Sequence, residues 1–184
     1  MIETAQSVVI AAPIGSVWDY AKDVERWAEI MPGYQECTIA DEDNSRWVLK
    51  VGVGGLVRTV KVQVRVDEWA GPGRVTFSFR LEGDPVSGGG TYRAVSQGPG
   101  ATGVTLHVRV EGGGPMAPMW EAMGGPLLPK FALAFANQLK ARIEGSVGAV
   151  VAAPSPAPPS PLARIGQWLR NLWGRLFARG GKAP

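Results

Sequence analysis

Hydrophobic and polar residues alternate along most of this chain with one of two periods, and the switches between them mark its elements. Gln6 to Ala11 is a short run of strand character ending before Pro13, a residue suited to opening a helix because its missing N–H would be unpaired there in any case. From Pro13 to Met31 the apolar positions Val17, Tyr20, Ala21, Val24, Trp27 and Ala28 recur every three or four residues. That is amphipathic helix spacing, with a split into two short helices expected near Asp23 and a stop at Pro32-Gly33. The period then drops to two. Trp47, Leu49, Val51 and Val53 alternate with polar or small residues, as do Val60, Val62, Val64 and Val66, then Val75, Phe77, Phe79 and Leu81, and finally Val104, Leu106, Val108 and Val110. Turn signals at Asp43-Asn44, Gly54-Gly55, Gly71-Pro72-Gly73, Gly88 to Gly90 and Gly98-Pro99-Gly100 separate the runs at hairpin lengths. Consecutive antiparallel strands, each with one oily face, are the expectation.

A helical pattern returns from about Met116 to Gly145. Met119, Trp120, Met123, Leu127, Phe131, Ala134 and Gln138 form one stripe, with Leu128, Phe135, Leu139 and Ile143 beside it. Gly124-Gly125-Pro126 interrupts the pattern and should kink or loosen it, since each glycine costs about 1 kcal/mol against alanine and proline removes a backbone bond. The whole order is strand, helix pair, antiparallel meander, long helix. It predicts an α+β helix-grip fold, in which a curved antiparallel sheet of about seven strands wraps around a long C-terminal helix, with two short helices after the first strand. The interior of such a fold often retains a cavity. Its candidate lining is Val62, Val64, Phe77, Phe79, Leu106 and Val108 from the strands, Met116, Met119, Trp120, Met123, Leu127 and Phe131 from the helix, and Tyr92 for the ligand's polar end. The methionines carry particular weight, because an unbranched thioether chain adapts to a long flexible apolar guest, although plain core filling explains them equally well.

Composition narrows the chemistry. The 184 residues are 45% hydrophobic and 19% charged, enough for one core plus an appendage. The single cysteine, Cys37, permits neither an internal disulfide nor a cysteine-based zinc site, and the single histidine, His107, would have to carry any Ser-His-Asp triad alone. His107 falls on the polar side of its strand, so a surface position is expected. Gly98 to Gly103 has the letters of a dinucleotide fingerprint, but it joins two strand patterns and reads as a hairpin turn. Glu82, Asp84 and Glu111 lie near strand ends with no acid/base spacing, and Arg93 beside Tyr92 fits ordinary sheet packing. The chain is therefore expected not to be an enzyme and to hold no metal. MIETAQSVVI has no basic n-region, and Lys130, Lys140, Arg142 and Glu144 interrupt the richest apolar stretch, so a cytoplasmic protein without a spanning helix is expected.

The net charge of +3 is unevenly held. Residues 1 to 148 sum to −2, whereas residues 149 to 184 carry five basic groups and no acid. Three parts follow: a body over 1–148, a Pro/Ala-rich linker over 149–161 of extended polyproline character, and a tail over 162–184. On a helical wheel Leu162, Ile165, Leu169, Leu172, Trp173, Leu176 and Phe177 share one arc with Trp168 at its edge, while Arg164, Arg170, Arg175 and Arg179 lie opposite or beside it. That pattern describes a helix lying on an anionic membrane surface. Packing against the body or a partner protein is the competing reading. Nucleic acid is not expected, because a groove-facing stripe would ask for Asn, Gln or more Lys.

Several segments together carry a resemblance: SVVIAAPIGSVWDY, MPGYQEC, VGVGGLVRTVKVQVRV, and above all VRVEGGGPMAPMWEAMGGPLLPKFALAFANQLKARIEG. Over residues 3 to about 148 the chain resembles the START-like (SRPBCC) helix-grip superfamily, and within it the CoxG group associated with carbon monoxide dehydrogenase. The group's loop often reads Pro-Gly-Cys, whereas here Pro32-Gly33 is followed by Tyr34 and the cysteine comes at Cys37. The resemblance implies a hydrophobic tunnel for a quinone (menaquinone or ubiquinone) or similar lipid. It also implies a place on the inner face of the cell membrane beside a molybdenum hydroxylase such as carbon monoxide dehydrogenase. Two alternatives stand next to this one: a polyketide cyclase or aromatase using the same cavity, and a structural protein that only docks a dehydrogenase.

Overall fold

The computed structural model describes residues 1–53, 56–115 and 117–151. Strand β1 (Ile2–Ile10) leads into helices α1 (Ile14–Ala21) and α2 (Val24–Glu29). Six strands follow: β2 (Tyr34–Ile39), β3 (Asn44–Val53), β4 (Leu56–Ala70), β5 (Arg74–Leu81), β6 (Val86–Ser96) and β7 (Thr102–Gly112). Helices α3 (Ala117–Gly124) and α4 (Leu128–Val151) close the described region. All seven strands form one antiparallel sheet in the order β1-β7-β6-β5-β4-β3-β2, so β2 to β7 run as a meander and β1 adds beyond β7. The curved sheet with its C-terminal helix is the helix-grip fold the pattern predicts.

The helix pair divides where expected. Asp23 caps α2 by accepting from the backbone N–H groups of Glu25 at 3.1 Å and Arg26 at 3.4 Å, which satisfies donors the first turn would otherwise leave unpaired. The period-two runs bury one face: Val62, Val64 and Val66 of β4, Trp47 and Leu49 of β3, Val75 of β5 and Leu106 of β7 all belong to the core. Phe135, Leu139 and Ile143 of α4 meet them from the other side, with Val17, Tyr20 and Trp27 from the helix pair. The far half of α4 is tied to the end of β1. Lys140 Nζ donates to the Val9 carbonyl at 2.5 Å and to Glu144 at 2.6 Å, and Glu144 accepts the Ala11 N–H at 2.8 Å.

Three local expectations change. The Gly88–Gly90 run makes no turn; it lies inside β6, with Gly88 opposite Phe79 and Gly90 opposite Phe77 in the register with β5. A Cβ on Gly88 would lie 2.5 Å from Phe79 Cζ, and one on Gly90 2.7 Å from Phe77 Cζ. The missing side chains are what let the two rings lie across the neighbouring strand. The C-terminal pattern is two helices, because at Gly124-Gly125-Pro126 the chain leaves the helix through a turn in which the Leu127 N–H donates to the Gly124 carbonyl at 3.0 Å. Pro129 then sits in the first turn of α4, where its missing N–H costs nothing. Finally, α4 continues to Val151, into the expected linker; the rest of 149–161 and the tail residues 162–184 lie outside the described residues. Among the described residues no helix is long and apolar enough to cross a membrane.

Candidate ligand-binding cavity

Between the concave face of the sheet and the α3–α4 segment lies a cavity of about 650 Å³. Its walls follow from strand parity. Val60, Val62, Val64 and Val66 of β4, Phe77, Phe79 and Leu81 of β5, and Leu106, Val108 and Val110 of β7 all point into it. Trp47, Leu49 and Val51 of β3 extend the wall, and Trp27 and Met31 approach from the helix pair. Trp120, Met123, Leu127, Phe131 and Phe135 form the roof. The mouth is marked by lining residues that also face solvent: Val57 is 63% exposed and Met123 38%.

Among the described residues, the charged side chains on this lining are Arg58 and Glu121. Arg58 sits opposite Val51 in the β3–β4 register, and directly opposed residues of an antiparallel pair share a face, so it continues the inward stripe of Val60 to Val66. Its Nη2 forms an ion pair with Asp84 Oδ2 at 2.8 Å; the Arg58 side chain is 57% exposed and that of Asp84 only 10%. The Glu121 carboxylate accepts from the N-terminal amine of Met1.

Trp27 anchors the wall. Its ring meets Phe77 edge-on at a centroid separation of 6.0 Å, Phe135 at 6.0 Å and Tyr92 at 5.7 Å. Tyr92, expected at the ligand's polar end, is completely buried against Trp27 and does not line the cavity. Its hydroxyl and the Trp27 Nε1 find no hydrogen-bond partner among the described residues, and burial pushes the Tyr92 pKa far above its ordinary value. Met119 is 42% exposed and lies off the lining, because α3 turns Trp120 and Met123 inward instead. Met116 lies outside the described residues, as do the tail residues named for membrane binding.

The remaining expected candidates, Val62, Val64, Phe77, Phe79, Leu106, Val108, Trp120, Met123, Leu127 and Phe131, are all brought together on the lining. Sequence reading missed Trp27, Trp47, Phe135 and Arg58 as lining. For Arg58 the signal was available: residue 58 has the same parity as 60, 62, 64 and 66. Elsewhere, His107 is on the surface with Glu3 at 3.7 Å. The half-buried Cys37 thiol is pushed up to about 11, by burial first and then by Glu25, Asp23 and Glu29. No cluster of His, Cys, Asp and Glu suited to a metal ion occurs among the described residues.

A family model described as "Polyketide cyclase / dehydrase and lipid transport" matches residues 1–152. A curated protein of Streptomyces cyaneus named "Putative polyketide cyclase" is 38% identical over 40 residues, 22% of this chain and 26% of that protein. The match thus spans about a quarter of the relative's length. Among solved structures, a conserved protein from Geobacillus kaustophilus aligns with a TM-score of 0.69 and 18% identity, over 79% of this chain and 97% of that one. A START superfamily protein from Mycobacterium smegmatis aligns with a TM-score of 0.61 and 18% identity, over 78% and 98%. The Zhui aromatase/cyclase from Streptomyces sp. R1128 aligns with a TM-score of 0.58 and 20% identity, over 79% and 94%. At such identities the structures establish the fold. The names correct one expectation: a family described by cyclases and dehydrases, with a relative named as a cyclase, overturns the reading of this chain as not an enzyme.

Proposed function

This chain belongs to the polyketide cyclase / dehydrase and lipid transport family, and from that premise we propose that it takes a quinone or similar isoprenoid lipid into the cavity beneath α3 and α4. The observation that carries the reading is the lining: about 650 Å³ walled by Val, Leu, Phe, Trp and Met, with charge only at the rim among the described residues. That volume lies in the range of roughly 300–1,000 Å³ of small-molecule sites, and such a surface gains about 25 cal/mol for each Å² of apolar ligand it takes from water. A sugar or nucleotide would lose its hydrogen bonds there; a prenyl chain loses none.

The finer reading places the protein on the inner face of the cell membrane beside a molybdenum-containing dehydrogenase, as the CoxG resemblance implies. Its support is the acid-free tail of residues 149 to 184, with five basic groups, an apolar arc at helical spacing and the tryptophans Trp168 and Trp173. Extraction of the purified full-length chain with organic solvent, followed by mass spectrometry, should yield a prenylated lipid, and vesicles containing anionic phospholipid should co-float with the chain but not with a form lacking residues 154–184. A protein that is empty in every preparation and is not quenched by prenylated quinones would end the lipid reading.

A second reading, favoured by the cyclase names of the relatives, has the same cavity orient a reactive polyketide chain, with the rim groups Arg58 and Glu121 as the ionisable side chains at hand. Turnover of a polyketide-like chain, lost in Arg58→Leu or Glu121→Gln, would support it.

A further inference from the structure

Among the described residues, the charged side chains of the lining, Arg58 and Glu121, stand beside the solvent-facing lining residues Val57 and Met123, and this sets which way round a ligand lies. Resting on the reading of the cavity as a lipid site, we propose that Arg58 is its head-group residue, whose guanidinium holds the carbonyl oxygen of the ligand at the mouth while the apolar chain runs inward along β4, β5 and β7.

A carbonyl placed deeper would be surrounded by Val62, Val64, Phe79 and Leu106 and would leave water without a replacement donor. Burying an unpaired acceptor in that way weakens binding by roughly ten- to a hundredfold. The polar atoms of Trp27 and Tyr92 do not relieve this, because neither has appreciable surface open to the cavity. Glu121 offers acceptors alone and already receives the N-terminal amine. Arg58 differs on each count. It shares the inward face with Val51 and Val60, and more than half of its side chain is accessible. Its guanidinium has five N–H donors, more than one carboxylate contact uses, and the ion pair with Asp84 is made at Nη2. The nearly buried Asp84 holds the planar group in place, so the free N–H groups are presented without first having to be ordered. A neutral carbonyl is the kind of group such a donor holds without breaking the Asp84 pair.

The test uses the full-length chain and two probes that differ only in the head: a prenylated naphthoquinone, detected by quenching of tryptophan emission from Trp27, Trp47 and Trp120, and the hydrocarbon of the same prenyl chain, detected by displacing the quinone. Arg58→Leu should weaken the quinone about tenfold and leave the hydrocarbon unchanged, and Arg58→Lys, which keeps the charge but loses the fork, should fall between. Because Arg58→Leu leaves the nearly buried Asp84 without its partner, a thermal melt checks that the variant is folded at the assay temperature, and Arg58→Lys keeps a cation beside Asp84. Equal quinone affinity in wild type and Arg58→Leu, or equal loss for both probes, overturns the assignment. A wild-type chain that binds neither probe removes the lipid reading itself, and this assignment with it.

Discussion

Replacing Gly90 with alanine adds one methyl group at the point where three strands and the cavity wall meet. A Cβ there would lie 2.3 Å from the His107 carbonyl oxygen on β7 and 2.7 Å from Phe77 Cζ on β5. The Phe77 ring packs on Trp27 and lines the cavity, so the open space it can turn into is ligand space. The His107 carbonyl belongs to the β6–β7 ladder, where Gly90 opposes Val108 and Thr91 opposes His107, and it has to retreat by about 0.7 Å to reach an ordinary contact of roughly 3.0 Å. Overpacking of this kind costs about 1–3 kcal/mol and a weakened ladder hydrogen bond about 1 kcal/mol more, giving about 2–4 kcal/mol in all. For a chain of this size that is a Tm lower by roughly 5–15 °C, measured by circular dichroism, together with weaker quenching by a prenylated quinone because the displaced ring takes ligand space. Gly145→Ala is the control. That exposed position in α4 has nothing near a built Cβ, and the change should stabilise by about 0.5–1 kcal/mol through helix propensity. A Gly90→Ala protein within about 0.5 kcal/mol of wild type, with quinone binding intact, would refute the assigned role of the β6 glycines.

Val64→Phe adds bulk to an open wall, so it should leave Tm within a few degrees of wild type while lowering prenylated-quinone affinity at least tenfold in a fluorescence titration. The Glu144 carboxyl is held below its usual range by the Lys140 ammonium first and then by the Ala11 N–H. A carboxylate depressed in the folded state contributes stability above its unfolded pKa and loses it as pH falls through the folded value. The stability advantage of wild type over Glu144→Gln in urea titrations should therefore be flat near neutral pH and vanish in acid; an advantage that grows in acid would contradict the contact. With its thiol pushed up to about 11, Cys37 should react with iodoacetamide at pH 8 about a hundredfold more slowly in the folded chain than in urea, as read by mass spectrometry.

Where period two held, side-chain direction followed from counting. Val62, Val64, Phe77, Phe79, Leu106 and Val108 reach the cavity because a strand admits only two faces and one of them is the core. Arg58 obeys the same count and was legible in principle; its charge argued for solvent, and only the register with Val51 shows that parity prevails. The glycines of β6 misled for the opposite reason. Glycine at a loop and glycine beneath an aromatic ring look identical along one chain, and what separates them is Phe77 and Phe79 on the adjacent strand. Tyr92 has the inward parity expected of a ligand contact, yet Trp27, more than sixty residues earlier, packs against it. Such long-range packing leaves no local trace. Met119 was misplaced because the break at residues 124 to 126 sets α3 apart from α4, so one wheel drawn through both helices averages two orientations.

The two ends of the roof are fastened very differently. Lys140 and Glu144 bolt the later turns of α4 to the β1 edge, and Phe135, Leu139 and Ile143 sink into the core beneath them. Helix α3 buries no residue completely, is joined to α4 by a single turn, and is held to the start of β1 by Glu121 and the Met1 amine. The roof is thus seated deeply along α4 and shallowly along α3. Molecules would therefore pass in and out on the Trp120–Met123 side, and making that side rigid, for instance by a crosslink from α3 to β7, should slow exchange while leaving equilibrium affinity nearly untouched.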